Sequence, residues 1–100
     1  MAEEVADRRL DNSFDIDWSE VKPHPKDDSV RHVSVYTDYV DAHTVFGYVM
    51  IRKDSYKAAS RVRCYEMLLN GLNIGSSSDL EEAKEGVRLH LIDLSNTDDV

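Results

Sequence analysis

Cysteine occurs once in this chain, proline twice and glycine four times, and these scarcities remove whole classes of protein. A single thiol, Cys64, forms no internal disulfide and no cysteine metal cluster. No pattern pairs it with a base, so it reads as a structural thiol. The glycines Gly47, Gly71, Gly75 and Gly86 are scattered, which leaves no glycine-rich loop to cradle a phosphate. No stretch approaches the roughly 18 to 20 consecutive apolar residues that span a bilayer. The first residues, Met1-Ala2-Glu3-Glu4-Val5, carry neither the basic start nor the apolar run of a secretion signal. A cytoplasmic protein without membrane contact is expected.

Catalytic patterns are equally scarce. G-x-S-x-G, HExxH and CxxC do not occur, and Ser76-Ser77-Ser78 has only His90 near it in sequence. The carboxylate pairs Glu3/Glu4, Asp27/Asp28, Glu81/Glu82 and Asp98/Asp99 are adjacent and sit in polar surroundings. Such pairs are solvated and not poised as a buried acid and base. His32 and His43 lack a third ligand at metal spacing. The chain is therefore expected to be no enzyme and to need no metal or cofactor.

What is present is one domain's worth of chain. It has 100 residues, 41% hydrophobic and 32% charged, with a formal net charge of -8. The charge is uneven. Residues 1–28 hold nine acids and four bases, and residues 71–100 hold seven acids and two bases. Residues 29–70 hold four acids and six bases. A mildly basic centre thus lies between two acidic ends. Net negative charge argues against binding nucleic acid or anionic lipid over the whole surface. An acidic surface commonly serves solubility alone, and its carboxylates can also present a phosphate-like surface to a basic partner.

Along the chain, Phe14-Asp15-Ile16-Asp17-Trp18 alternates apolar and acidic residues. A period of two puts Phe14, Ile16 and Trp18 on one face and Asp15 and Asp17 on the other. The expectation is a short edge strand, and the same segment is a candidate to dock on a partner. Lys22-Pro23-His24-Pro25-Lys26 reads as an extended linker. Residues 1–29 are thus expected to be an acidic arm. The region 30–52 is the most strand-like: Val33, Val35 and Tyr39 alternate with His32, Ser34, Tyr36 and Asp38, and 44–51 is apolar on both faces. A hairpin turning at Asp41-Ala42 is expected here.

Asp54 is a candidate cap for a main helix over about 54–70. In it Ala58, Val62, Tyr65, Leu69 and Leu72 would share one face, and Asn70-Gly71 would end it. Lys53, Lys57 and Arg61 would form a basic row on its flank, with no aromatic platform beside them in sequence. Gly75 and Ser76-Ser77-Ser78 read as a connector, and Glu81 and Glu82 suit the first turn of a second helix. Beyond Gly86 two readings stay open. Leu80, Ala83, Val87, Leu91 and Leu94 would make a helix face, while Val87, Leu89 and Leu91 would make a strand. Glycine costs a helix interior about 1 kcal/mol against alanine, which favours a short helix followed by a strand.

The expected fold is α+β: a small antiparallel sheet with a central hairpin, packed against one main helix and a second short one. Residues 30–94 would form the single domain and 95–100 a mobile tail. If the last segment is all helix, strand 45–51 with helices 55–70 and 78–94 resembles a ribbon-helix-helix DNA-binding unit. Gly71, Leu80-Glu81-Glu82-Ala83 and Leu89-His90-Leu91 are similar to the glycine-then-helix segment of HicB-type antitoxins. Each resemblance covers under half the chain.

The functional expectation is an acidic, non-catalytic protein-binding module that regulates or blocks a partner. Small inhibitors and antitoxins of phage and mobile elements are the model. Its partner would be a nucleic-acid-handling protein, and its contacts would be Phe14, Asp15, Ile16, Asp17, Trp18, Glu81 and Glu82. Two other classes remain. One is a dimeric regulator of ribbon-helix-helix type with Lys53, Lys57 and Arg61 on DNA phosphates. The other is a homo-oligomeric structural or small-ligand protein that uses strand 44–51 as its interface.

Overall fold

The structure is a computed structural model and describes residues 10, 11, 13–23 and 36–96. Its five strands form one antiparallel meander in chain order. They are β1 (Lys22–Pro23), β2 (Tyr36–Thr44), β3 (Gly47–Asp54), β4 (Tyr65–Leu69) and β5 (Leu72–Ser77). A five-residue helix α1 (Ser55–Ala59) links β3 to β4, and α2 (Leu80–Ser95) follows β5. The chain is thus an α+β protein, as its sequence implied.

Strand pairing decides which side chains share a face. Val40 lies opposite Ile51 and Ala42 opposite Val49, so these four point to the same side of the sheet. Onto that side α2 lays Ala83, Val87 and Leu91, three residues spaced four apart and fully buried. Ile16 joins them in the core, and Met67, Leu69 and Leu94 pack at its margin. At roughly 1.5–3 kcal/mol for each large apolar side chain buried, this layer is the main source of stability.

The main helix of this fold is α2, and the expected helix over 54–70 is absent. Asp54 does cap a helix, accepting from the Tyr56 and Lys57 amides at 2.9 and 3.2 Å. That helix stops after Ala59, where Arg61 takes φ 59°. Residues 65–69 then form β4, hydrogen-bonded on both sides to β3 and β5. Asn70 and Gly71, at φ 52° and 85°, turn β4 into β5 as a tight hairpin. Asn-Gly between two apolar runs is a strong hairpin signal, and the helical spacing of Val62, Tyr65, Leu69 and Leu72 obscured it. The presumed connector at Gly75 and Ser76 is part of β5.

Three further expectations change. The central hairpin turns at Val45-Phe46 and not at Asp41-Ala42. Thr44 Oγ1 accepts from the Phe46 amide and donates to the Gly47 carbonyl, which fastens the turn. Residues 80–95 form one helix with no break at Gly86. A Cβ at Gly86 would lie 3.1 Å from Met67 Sδ, so the glycine lets α2 settle onto β4. Tertiary packing here outweighs helix propensity. Finally, residues 14–18 pair with no strand. They cross α2 in extended form, with Arg88 Nη1 donating to the Phe14 carbonyl at 3.0 Å.

With β4 and β5 in place of a helix, the chain is not a ribbon-helix-helix unit. Strand 44–51 is also spoken for, because β3 sits between β2 and β4 with Val49 and Ile51 inside the core. The alternation of Val33 and Val35, most of the proline linker and the last residues of the tail lie outside the described residues.

Candidate functional site

The period of two in 14–18 survives as a burial pattern. Ile16 is 6% exposed, Phe14 and Trp18 are half-buried, and Asp15 and Asp17 face solvent. An extended chain needs no sheet partner to alternate its side chains. Two ties hold the neighbouring chain in place: the Leu10 amide donates to Ser95 Oγ at 2.9 Å, and the Ser19 amide to the Asp41 carbonyl at 2.8 Å.

Between this segment and the first half of α2 lies an open groove of about 300 Å³. Ile16 and Trp18 give it apolar surface, and Asp15, Glu81, Lys84, Glu85 and Arg88 give it charge. Arg88 Nη2 and Nε bind the two oxygens of Glu85 at 2.8 and 2.9 Å. This hydrogen bonding holds the Glu85 carboxyl below its ordinary range and pushes the Arg88 guanidinium above its own. Lys84 lies 3.4 Å from Glu81. Both cations of the groove are thus engaged by a carboxylate one turn earlier, which leaves its outward charge negative.

Of the residues singled out from sequence, Asp15, Ile16, Trp18 and Glu81 line this one groove. The others serve elsewhere. Phe14 packs at the core margin and Asp17 is exposed beside the groove. Glu82 accepts from Ser77 Oγ at 2.5 Å while its amide donates to the cap Asp79 at 2.9 Å, so it secures the start of α2. Lys84, Glu85 and Arg88 were missed. With Glu81 they recur at i, i+3, i+4 and i+7, one helix face, a signal lost once a strand was expected after Gly86.

The basic row is dispersed. Lys53 lies on β3 with its Nζ 5.8 Å from the Tyr65 ring centroid, Lys57 on α1 is 3.6 Å from Glu66, and Arg61 follows α1. Among the described residues no set of three His, Cys, Asp or Glu side chains could hold a metal ion. No described helix is long and apolar enough to cross a membrane.

No protein-family model matches the chain, and no curated protein or solved structure matches it. What fold and groove define is a class, an acidic α+β module with one helix-covered sheet face.

Proposed function

We propose that the protein is a non-catalytic binding module that receives a basic surface of a partner protein on the side formed by residues 10–20 and α2. One observation carries this reading: the acid-rich stretches 10–20 and 79–96, far apart in sequence, lie side by side. Counting 10, 11, 13–20 and 79–96, that side holds nine acids and two bases, and Asp15 shares a groove with Glu81 and Glu85. Such a surface steers a cationic partner from a distance and fixes its orientation on contact. Trp18, half-buried at the groove, supplies an aromatic anchor of the kind that dominates binding energy. A partner that handles nucleic acid would find its own basic cleft occupied, which makes this an inhibitor or antitoxin by charge mimicry.

The test is capture of partners from a nuclease-treated lysate of the source organism, at low and high salt, by the wild type and by an Asp15→Asn, Asp17→Asn, Glu81→Gln variant. All three side chains are exposed, so the variant keeps the fold. Capture of a nucleic-acid-handling protein at low salt, lost at high salt and lost in the variant, is the expected result. Capture that ignores both salt and variant would overturn the reading.

A further inference from the structure

The other face of the sheet is aromatic and, among the described residues, has no such excess of acids. Register brings Tyr39 opposite Arg52, Asp41 opposite Met50 and His43 opposite Tyr48 on that face. Arg52 faces Glu66 across the next pair of strands. Two of the rings are hydrogen-bonded in place, and Lys22 Nζ lies 5.6 Å from the centroid of the Tyr39 ring. Tyr48 donates to Asp41 Oδ2 at 2.6 Å and Tyr36 to Glu66 Oε1 at 3.3 Å. The Arg52 guanidinium lies 3.8 Å from the Tyr36 ring centroid, and the His43 and Tyr48 rings lie 5.1 Å apart.

Beyond the Asp54 end of β3, α1 and the turn after it carry Tyr56, 73% exposed, and the exposed Arg61 and Arg63. Among the described residues no ion pair engages either arginine. The charged groups here are Lys22, Arg52, Lys57, Arg61 and Arg63 against Asp41, Glu66 and the buried cap Asp54. The sheet therefore separates charge, with acids crowding the helix side. On the aromatic side Lys22, Arg52 and Lys57 balance Asp41, Glu66 and Asp54, and Arg61 and Arg63 add positive charge at the end of the sheet.

Aromatic rings on an antiparallel sheet, with cations at its end, are the elements of a stacking platform for unpaired bases. We propose that this face binds single-stranded nucleic acid. Bases stack on Tyr39, His43 and Tyr48, and the backbone runs to Arg61 and Arg63. Duplex would present phosphates without free base faces, and an acidic peptide would leave the rings unused. The surface is independent of the acidic groove, so one molecule could bridge a nucleic acid and a protein that acts on it.

The experiment is fluorescence anisotropy of the full chain with a labelled oligothymidylate of about ten nucleotides, a length of the order that a single-strand-binding domain covers, across a salt series. Substituting exposed residues spares the core. Arg61→Gln with Arg63→Gln is expected to lower the slope of log affinity against log salt by about 1.4, the loss of two single-strand phosphate contacts. His43→Ala is expected to weaken binding about fivefold or more, the value of one stacked base, and to leave that slope unchanged. The Asp15→Asn, Asp17→Asn, Glu81→Gln variant should bind the oligonucleotide at least as well as the wild type, which separates this face from the protein-binding groove. Absence of binding at low salt would overturn the proposal. So would equal affinity for a duplex or for polyglutamate, or indifference to His43→Ala and the arginine pair.

Discussion

The Asp41 carboxylate accepts from the Tyr48 hydroxyl at 2.6 Å and the Lys22 ammonium at 3.2 Å, and the Asp41 backbone amide donates to Ser19 Oγ at 3.1 Å. One strand residue thereby ties β1, β3 and the chain before β1 together. The hydrogen bond from Tyr48 holds the Asp41 carboxyl below its ordinary range despite partial burial. Burial, reinforced by the same bond, pushes the Tyr48 phenol up to about 12. A folded-state pKa above the unfolded value of about 10 means that the phenol's contribution is complete below pH 10 and is lost as pH rises toward 12. For Asp41 the sign is reversed: its contribution holds above the unfolded carboxylate value and falls away in acid. Urea unfolding of wild type and Tyr48→Phe isolates the phenol. The wild type's advantage should be constant from about pH 6 to 9 and shrink between about pH 10 and 12. A difference that stays flat through that alkaline window would mean that folding does not raise the pKa of the phenol.

At the scale of elements, the two turns at one end of the sheet act as a unit. Asn70 Oδ1 accepts from the Tyr48 amide at 2.9 Å, and its Nδ2 donates to the Phe46 carbonyl at 3.2 Å. The β4–β5 turn thereby fastens the β2–β3 turn, while Asn70 itself stands at φ 52°. Asn70→Ala should cost about 2 kcal/mol, combining lost hydrogen bonds with a left-handed backbone that alanine resists. Gly71→Ala meets no neighbour within 4 Å and should cost only the backbone term, about 1–2 kcal/mol. Chemical denaturation of both variants checks the order; a smaller loss for Asn70→Ala would show that the turns are independent.

The same end of the molecule shows what the sequence made legible. The central hairpin followed from the two-faced apolar run at 44–51, because residues 47–51 really do belong to a central strand. The 65–69 segment was misread because Tyr65 and Leu69 satisfy a four-residue spacing and a two-residue one equally well. Only Asn70-Gly71 could arbitrate, and it serves as a helix stop or as a hairpin turn. Gly86 misled for a different reason, since its partner Met67 is remote in sequence and no propensity records a close approach. In the groove, Asp15, Ile16, Trp18 and Glu81 were legible from local pattern, whereas their meeting depends on α2 running unbroken to Ser95. Tyr39, His43 and Tyr48 could not be grouped before the register was known.

On the scale of the whole molecule, folding brings together acids that the unfolded chain keeps more than sixty residues apart. Asp15 and Asp17 come to lie beside the α2 face that carries Glu81 and Glu85, so the native state concentrates negative charge more than the unfolded state does. Salt acts on this in two opposing ways. It weakens ion pairs such as Lys84–Glu81 and Arg88–Glu85, whose acids are well exposed and which contribute little to stability. It also screens repulsion on a side with nine acids against two bases, as the Debye length falls from about 30 Å at 0.01 M to about 8 Å at 0.15 M. Repulsion wins, because the acids outnumber the cations available to pair with them. The melting temperature should therefore rise over that range of NaCl by a few degrees, the equivalent of about 1 kcal/mol or less for a domain of this size. The Asp15→Asn, Asp17→Asn, Glu81→Gln variant should start higher and respond less. Acids whose removal stabilises the protein are not there for the fold, which is what the proposed binding role requires of them. A melting temperature that falls with salt would show instead that the carboxylates are held in pairs, and the groove would have little charge to offer a partner.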